Sequence, residues 1–132
     1  MDLQLKDKVV LVTASSQGLG FASAKKFLEE GAKVLITSHN LEHLRIAYQK
    51  LLPITKASHL SYVVADLTST SDIENLIATT HKKFGLIDIV INNTGGPKSA
   101  EFEALSEDDW TDAYELLLRS AVQLIRSALP DV

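Results

Sequence analysis

The sequence predicts an α/β protein in which helices cover both faces of a doubly wound parallel sheet, a three-layer arrangement. Two observations carry this prediction. Short apolar segments rich in β-branched residues alternate with longer segments of helical periodicity, which is the pattern of successive βαβ units. The connections between them are short, and right-handed crossovers then place helices on both faces of the sheet. The 132 residues suit one domain, which we expect to cover residues 1–132.

The predicted strands are four continuous apolar runs. Runs of this length and composition are typical of strands that are buried on both faces, as in a parallel sheet. Asp88 interrupts the start of the last run. The four runs are Val9–Val12, Val34–Thr37, Tyr62–Ala65 and Ile87–Ile91.

Each predicted helix combines apolar residues at helical spacing with a start or stop signal at its ends. The third is expected to begin with a capping box of Ser71 and Glu74, and the fourth with a cap formed by Ser106 and Asp109. Glycine or proline closes the first three. The predicted helices cover Gly18–Glu30, Leu41–Leu51, Ser71–Phe84 and Ser106–Ala128.

Composition excludes several classes of function. The net charge is −4 and Lys and Arg do not cluster, which argues against a nucleic-acid partner. The chain contains no cysteine, so it has neither disulfides nor a thiol nucleophile, as is usual in the cytoplasm. It has no signal-peptide pattern at its start and no apolar stretch of membrane-spanning length. We therefore expect a cytoplasmic protein without a membrane partner.

A glycine-containing turn follows the first predicted strand, where ligands bind in parallel sheets. Residues 13–20 read T-A-S-S-Q-G-L-G and open directly into a helix. Glycine lets the backbone approach a pyrophosphate, the helix N-terminus offers free N–H groups, and small hydroxyl residues add hydrogen bonds. A tight turn without a ligand is the alternative. The position after the first strand of a βαβ unit favours dinucleotide binding.

Three motifs resemble those of the short-chain dehydrogenase/reductase family. Residues 13–20 are similar to its T-G-x-x-x-G-x-G motif, with Ala14 in place of the first glycine. Asn92–Gly95 resembles N-N-A-G, and Asp66 lies where family members place an acid against adenine. The resemblance covers the entire chain and is nearest to the 3-oxoacyl carrier-protein reductase-like branch. It implies a Rossmann-type NAD(P)-binding domain.

The resemblance also implies which residues contact the cofactor. Asp66 would hold the adenine amino group beside the Leu67 backbone, although it could simply cap a turn before Thr68. Thr13 is included among the residues of the cofactor site. Thr13 and Asn92 are expected to connect the strands and the turn by hydrogen bonds. The residues near the pyrophosphate would be Ser15, Ser16, Gln17, Gly18, Leu19 and Gly20. Those near the ribose and nicotinamide would be Asn93, Thr94 and Gly95.

The end of the second strand indicates which dinucleotide is preferred. NAD-binding domains usually carry an acid there, which binds the ribose 2′-OH. This chain instead has Ser38, His39 and Asn40. Ser38 and Asn40 can donate hydrogen bonds to a 2′-phosphate, and His39 contributes positive charge when it is protonated. NADP is therefore expected, with NAD as the alternative. His39 and His43 have the spacing of a helical metal pair, but without a third ligand we expect no metal.

The family's catalytic residues are absent. They are a serine and a Tyr-x-x-x-Lys, and none of the three tyrosines here is followed by lysine four residues later. Leu117 stands where a W-x6-N pattern counted from Trp110 would place a catalytic asparagine. We expect a chain truncated before the fifth strand and inactive alone.

Two classes of function remain open on the sequence. The first is an NAD(P)H-dependent oxidoreductase that passes hydride between nicotinamide and a carbonyl or alcohol substrate. The second is a dinucleotide-binding or sensor module without chemistry of its own. A sugar-nucleotide epimerase relative ranks below both, because its glycine motif usually has a different spacing.

The last predicted helix has an unusually broad apolar face. Such a face indicates burial on two sides, by the sheet and by a second cover. In the family, the second cover is the matching helix of another subunit, so we expect a homo-oligomer through residues 107–128. A C-terminal half of the same chain is the alternative cover. The stripe consists of Trp110, Ala113, Tyr114, Leu117, Leu118, Ala121, Leu124, Ile125 and Ala128.

Overall fold

The predicted parallel sheet is present. The structure, a computed structural model, describes all of residues 1–132. Its four strands lie in the order β3-β2-β1-β4, and every neighbouring pair is parallel. The strands are β1 Val9–Val12, β2 Lys33–Ser38, β3 Leu60–Val64 and β4 Ile89–Ile91. The helices are α1 Gly18–Glu29, α2 Leu41–Leu51, α3 Thr70–Phe84, α4 Glu107–Tyr114 and α5 Ser120–Ala128.

The strand order creates a switch point between β1 and β4. The chain runs outward from β1 through β2 to β3, then returns to place β4 on the other side of β1. Val10 of β1 is paired with Val34 on one side and with Ile89 on the other. The turns after β1 and β4 therefore diverge, which leaves a crevice at the carboxyl ends of the strands.

The core consists of two apolar layers, one on each face of the sheet. Val10 and Val12 pack with residues of α1 and α2, whereas Leu11 packs with residues of α3 and α5. Successive strand side chains point to opposite faces, and all three of these residues are fully buried. The expectation of strands buried on both faces is confirmed for β1 and β2.

The start of β4 differs from the prediction for a local reason. The strand begins at Ile89 rather than Ile87. The Asp88 carboxylate accepts a hydrogen bond from the N–H of Val9 at 2.8 Å, and the Asp88 N–H donates to the carbonyl of Val9 at 2.9 Å. Asp88 therefore ties this loop to the first residue of β1.

The predicted cap of α3 is wrong, and that of α4 is confirmed. Ser69, not Ser71, caps α3, and its hydroxyl accepts from the N–H of Asp72 at 3.3 Å. At α4, the Ser106 hydroxyl accepts from the Asp109 N–H at 3.1 Å, and the Asp109 carboxylate accepts from the Ser106 N–H at 2.9 Å. This second pair is a complete capping box.

The helix predicted as one continuous α-helix to Ala128 contains a π turn at Glu115–Arg119. The N–H of Ser120 donates to the carbonyl of Glu115, five residues earlier, and the Ser120 hydroxyl donates to the carbonyl of Leu116. A π turn inserts one residue into the α-helical repeat. The faces of α4 and α5 are consequently not in the register that a uniform helix would give them.

Within these 132 residues only one side of this helix is covered, and a second cover by another subunit or by a C-terminal half stays a prediction. Within α5 only Ser120, Leu124 and Ala128 are buried, against the layer that contains α3. Seven large apolar residues are between 45% and 64% exposed, and we call them the open stripe: Trp110, Tyr114, Leu117, Leu118, Val122, Ile125 and Leu129.

No helix of the chain has the length and apolar character needed to span a membrane.

Candidate functional site

A cavity of about 490 Å³ lies at the carboxyl ends of the strands. Its walls come from the turns after all four strands and from the π turn. The turn after β1 contributes Ala14, Ser16, Gln17, Gly18 and Leu19. The ends of β2 and β3 contribute Thr37, Ser38, His39, Ala65, Asp66 and Leu67. The turn after β4 and the π turn contribute Asn93, Thr94, Gly95 and Leu116.

The first turn of α1 opens on this cavity. Gln17 occupies the N-cap position but makes no side-chain cap hydrogen bond, and the first N–H groups of a helix have no partner within the helix itself. Gly18 adopts φ +63°, and a Cβ placed on it would meet no atom within 4 Å. The left-handed backbone favours glycine here, and the space beside it is open to a ligand.

Gly20 has a different role from the one predicted. A Cβ at this position would lie 2.3 Å from the carbonyl oxygen of Ala14 and 2.8 Å from the Cα of Ser15. Gly20 does not line the cavity. It permits the close packing of α1 against the turn after β1.

Ala14 stands in the left-handed region, with φ +46°. This position corresponds to the first glycine of the family motif, and the structure gives the reason for that glycine. An alanine there is strained by about 1–2 kcal/mol because its Cβ approaches the following carbonyl oxygen. The carbonyl of Ala14 accepts a hydrogen bond from the Asn93 side-chain amide at 3.2 Å, which holds the residue in place.

Ser15 does not line the approach to the cavity, contrary to the prediction. It is fully buried. Its hydroxyl donates to the carbonyl of Val12 at 2.8 Å and accepts from the N–H of Thr37 at 3.0 Å. The side chain thus joins the ends of β1 and β2, and Ser16 is the serine that remains available to a ligand.

The turn after β4 is joined to β1 by Thr13 and Asn93. Thr13 is fully buried and outside the cavity lining, as expected for a residue that ties elements together. Asn92, expected to share that role, is exposed and makes no hydrogen bond. Asn93 performs it instead, and it also lines the cavity.

At the end of β2, two of the three predicted residues line the cavity. The Ser38 hydroxyl accepts from the N–H of Asn40 at 3.2 Å and lies 3.4 Å from the Ser16 hydroxyl. His39 is exposed at the rim. Asn40 is not on the lining, because its side chain caps α2 by accepting from the N–H of His43 at 3.0 Å.

Asp66 both caps a turn and lines the cavity. Its Oδ1 accepts from the hydroxyl of Thr68 at 2.6 Å and from the N–H of Thr68 at 2.9 Å. These two hydrogen bonds lower the pKa of the Asp66 carboxyl below its usual value. The interpretation of Asp66 as the cap of a turn is therefore correct. Its second carboxylate oxygen, Oδ2, has no hydrogen-bond partner within the chain.

Sequence reasoning missed Leu116 as a cavity residue. The W-x6-N pattern counted from Trp110 points instead to Leu117. The π turn reverses this, since Leu116 lines the cavity while Leu117 is 45% exposed outside it. Regular helical spacing assumes a helix without a π turn, so it does not predict that Leu116 lines the cavity.

The chemistry available in the cavity is mainly hydrogen bonding. Only Asp66 and His39 among the lining residues carry ionisable side chains. Backbone N–H groups, small hydroxyls and amides supply the remaining polar contacts. Such a wall can bind and orient an elongated polar ligand.

The model of the short chain dehydrogenase family matches residues 8–132. The chain is 35% identical over 130 residues to the uncharacterized oxidoreductase YvrD of Bacillus subtilis, covering 98% of this chain and 48% of that protein. It is 32% identical over 126 residues to a hydroxy-methyl-oxo-hexahydroindene-carboxyl-CoA reductase of Mycobacterium tuberculosis, covering 95% and 48%. The chain thus spans about half the length of these curated relatives.

Solved structures give the same result. The L-sorbose reductase of Gluconobacter frateurii, complexed with NADPH and L-sorbose, superposes with a TM-score of 0.92 at 27% identity, covering 99% of this chain and 49% of that one. The NADH-dependent reductase A1-R′, complexed with NAD, gives 0.87 at 28% identity and covers 99% and 54%. By its sequence and its fold, the chain belongs to the short chain dehydrogenase family.

Proposed function

We propose that these residues bind a nicotinamide dinucleotide, as the N-terminal half of an oxidoreductase that passes hydride between nicotinamide and a carbonyl or alcohol carbon. The observation that carries the proposal is the cavity at the strand switch point, into which the uncapped first turn of α1 opens. A helix N-terminus with free N–H groups is suited to a pyrophosphate. The cavity has room for an elongated ligand.

The lining residues fit the parts of such a cofactor. Gly18 and Leu19 would offer backbone N–H groups to the pyrophosphate, with Ser16 beside them. Asp66 and the Leu67 backbone would contact the adenine. The bound cofactor would supply the hydride, and these residues would only hold and orient it. The ribose and nicotinamide side would be bordered by Asn93, Thr94 and Gly95.

We further propose a preference for NADP over NAD. Support comes from the end of β2, where no carboxylate repels a 2′-phosphate and where Ser38 and His39 line the cavity. Asn40 does not support this preference, since its side chain caps α2. NAD is the alternative, and A1-R′ is a structural neighbour that holds NAD.

The 132 residues by themselves are proposed to be inactive. No lining residue is a tyrosine or lysine, and positioned acid–base groups contribute about 10²–10⁴-fold to rate. The poverty of ionisable groups in the cavity also favours the second candidate function, a dinucleotide-binding or sensor module. A carbonyl-reductase assay with NADPH on protein that ends at Val132 tests the first statement, and steady turnover above background would contradict it.

The open stripe is proposed to pair with the same stripe of a second copy. Glu107 and Asp108 lie in the first turn of α4, and Arg126 lies near the end of α5. None of the three forms an ion pair within the chain. An antiparallel copy would bring these opposite charges together in a two-fold interface. Sedimentation of the Leu118→Glu variant should show loss of the dimer.

Titration of the protein with NADPH tests the binding proposal. Gly18→Val should weaken binding by at least about tenfold, because its side chain would enter the phosphate path. Gly85→Val is the matched control, since Gly85 also has a positive φ, +94°, has open space around it and does not line the cavity. Circular dichroism of both variants checks the fold. Equal affinity of Gly18→Val and the unchanged protein would contradict the site.

A further inference from the structure

Asp72 links the start of α3 to the turn after β3. Its carboxylate oxygen accepts a hydrogen bond from the N–H of Asp66 at 2.8 Å, six residues earlier in the chain. Its own N–H donates to the hydroxyl of Ser69 at 3.3 Å. Asp72 is partly buried and does not line the cavity. Its side chain therefore acts on the cavity wall only through the backbone of Asp66.

The hydrogen bonds around this turn leave one backbone donor free. Of three consecutive N–H groups, that of Asp66 is held by Asp72 and that of Thr68 by the Asp66 carboxylate. The N–H of Leu67, between them, has no hydrogen-bond partner within the chain. Asp66 Oδ2 is likewise unpartnered, since both bonds from Thr68 reach Oδ1. A donor and an acceptor thus stand next to each other in two residues of the cavity wall.

This donor and acceptor match the hydrogen-bonding edge of adenine. Adenine presents an acceptor at N1 and a donor at its 6-amino group. Hypoxanthine, with N1–H and a 6-oxo group, presents the reverse pattern. A free N–H beside a carboxylate would bind the first edge and oppose the second, because unpaired polar groups in a closed site are costly.

We propose that Asp72 is a positioning residue that fixes the Asp66–Leu67 pair for recognition of adenine over other purines. The inference rests on the proposed dinucleotide function. Without the Asp72 carboxylate, the N–H of Asp66 loses its partner, and the turn can then rotate so that Leu67 and the Asp66 carboxylate no longer present their groups side by side.

The test is the ratio of two dissociation constants, measured by fluorescence titration of the protein with NADPH and with its hypoxanthine analogue. Asp72→Ala should reduce the preference for the adenine cofactor by about two- to tenfold, the range expected for one lost hydrogen bond. Asp72→Asn keeps an acceptor oxygen and should retain most of the preference. Glu74→Ala is the matched control, because Glu74 is an exposed acid on α3 without an ion-pair partner.

Each outcome decides the inference. If Asp72→Ala weakens both cofactors equally, the residue is structural only and the inference is overturned. If Asp72→Ala does not fold, Asp72→Glu is measured instead, because glutamate keeps the charge but displaces the carboxylate. An unchanged preference of Asp72→Glu for NADPH over the hypoxanthine analogue also overturns the inference. NADPH binding without preference over the hypoxanthine analogue overturns the inference and leaves the proposed function intact. An unchanged protein that binds neither compound overturns both.

Discussion

The hydroxyl of Thr13 accepts a hydrogen bond from the backbone N–H of Asn93 at 2.8 Å and donates one to the backbone carbonyl of Asn93 at 2.5 Å. One side chain at the end of β1 thereby satisfies both backbone groups of a residue in the turn after β4. The two turns belong to the strands that flank the switch point. This contact therefore fixes the start of the turn after β4 to the end of β1.

Replacing Thr13 with valine should therefore destabilise the fold. Valine has the same shape but leaves the Asn93 N–H without its partner, which costs about 1–3 kcal/mol when the group is buried. Denaturant unfolding measures the loss. Thr13→Ser keeps the hydroxyl and serves as the control. The serine variant loses a buried methyl group but keeps the contact, and a valine variant as stable as the unchanged protein would show that the contact contributes nothing.

Replacing Ala14 with glycine should stabilise the protein by up to about 1 kcal/mol. Glycine removes the left-handed strain of about 1–2 kcal/mol but adds about 0.5–1 kcal/mol of backbone entropy cost. The midpoint of thermal unfolding reports the difference. Ala24→Gly is the opposite control, because Ala24 is buried within α1 and its replacement should lower the midpoint.

Replacing His39 with aspartate should shift cofactor preference toward NADH. A carboxylate at the cavity rim would repel the 2′-phosphate, and we expect the ratio of NADPH to NADH affinity to fall about tenfold or more. Titration with both cofactors measures the ratio. His43→Asp adds the same charge one turn later, outside the cavity lining, and should change the ratio little. A wild type that prefers NADH would contradict the proposed role of Ser38 and His39 in binding a 2′-phosphate.

Acid should destabilise the protein through Asp131. The His81 imidazole and the N–H of Ile87 both donate to this carboxylate, and these hydrogen bonds lower the Asp131 pKa from its usual value near 3.8. A group whose pKa is lower in the folded state than in the unfolded state stabilises the fold at pH values above its unfolded-state pKa. That stability is lost as the pH falls through the folded-state pKa.

The stability contributed by Asp131 should therefore be lost over a pH range that begins near 3.8, the ordinary pKa of an aspartate, and extends to lower pH. Unfolding free energy measured between pH 7 and pH 2 should fall less steeply in Asp131→Asn than in the unchanged protein below pH 4, while the variant is less stable at neutral pH. Parallel curves would remove Asp131 from the explanation. The Asp66 carboxyl, whose pKa is also lowered, contributes in the same direction to both proteins.

The sheet could be predicted because its signal is local. Continuous apolar runs identify strands buried on both faces, and the carboxyl ends of those strands then indicate where a candidate ligand site lies. The role of Ser15 could not be predicted, since its partner Thr37 comes from another strand. Whether a small hydroxyl residue faces a ligand or joins two strands depends on tertiary placement.

The misplaced cap of α3 has a similar cause. Residues 68–71 are all serine or threonine, so several positions can cap the helix by local criteria. Ser69 is the cap in the structure, and the resulting helix start places Asp72 where its carboxylate reaches the N–H of Asp66. The sequence pattern alone does not decide where α3 starts, and the observed start is the one that goes with the hydrogen bond between Asp72 and Asp66.

The π turn gives the last helix two rotational phases. Each residue of an α-helix advances about 100° around the axis, so one inserted residue offsets α4 from α5 by roughly that angle. Trp110 and Leu124 therefore do not face the directions that one uniform helix would assign to them. One continuous helix that contains a π turn can in this way direct the side chains of α4 and of α5 towards different neighbours. Deleting one residue from Glu115–Arg119 should restore a uniform helix and turn α4 away from its present direction relative to α5.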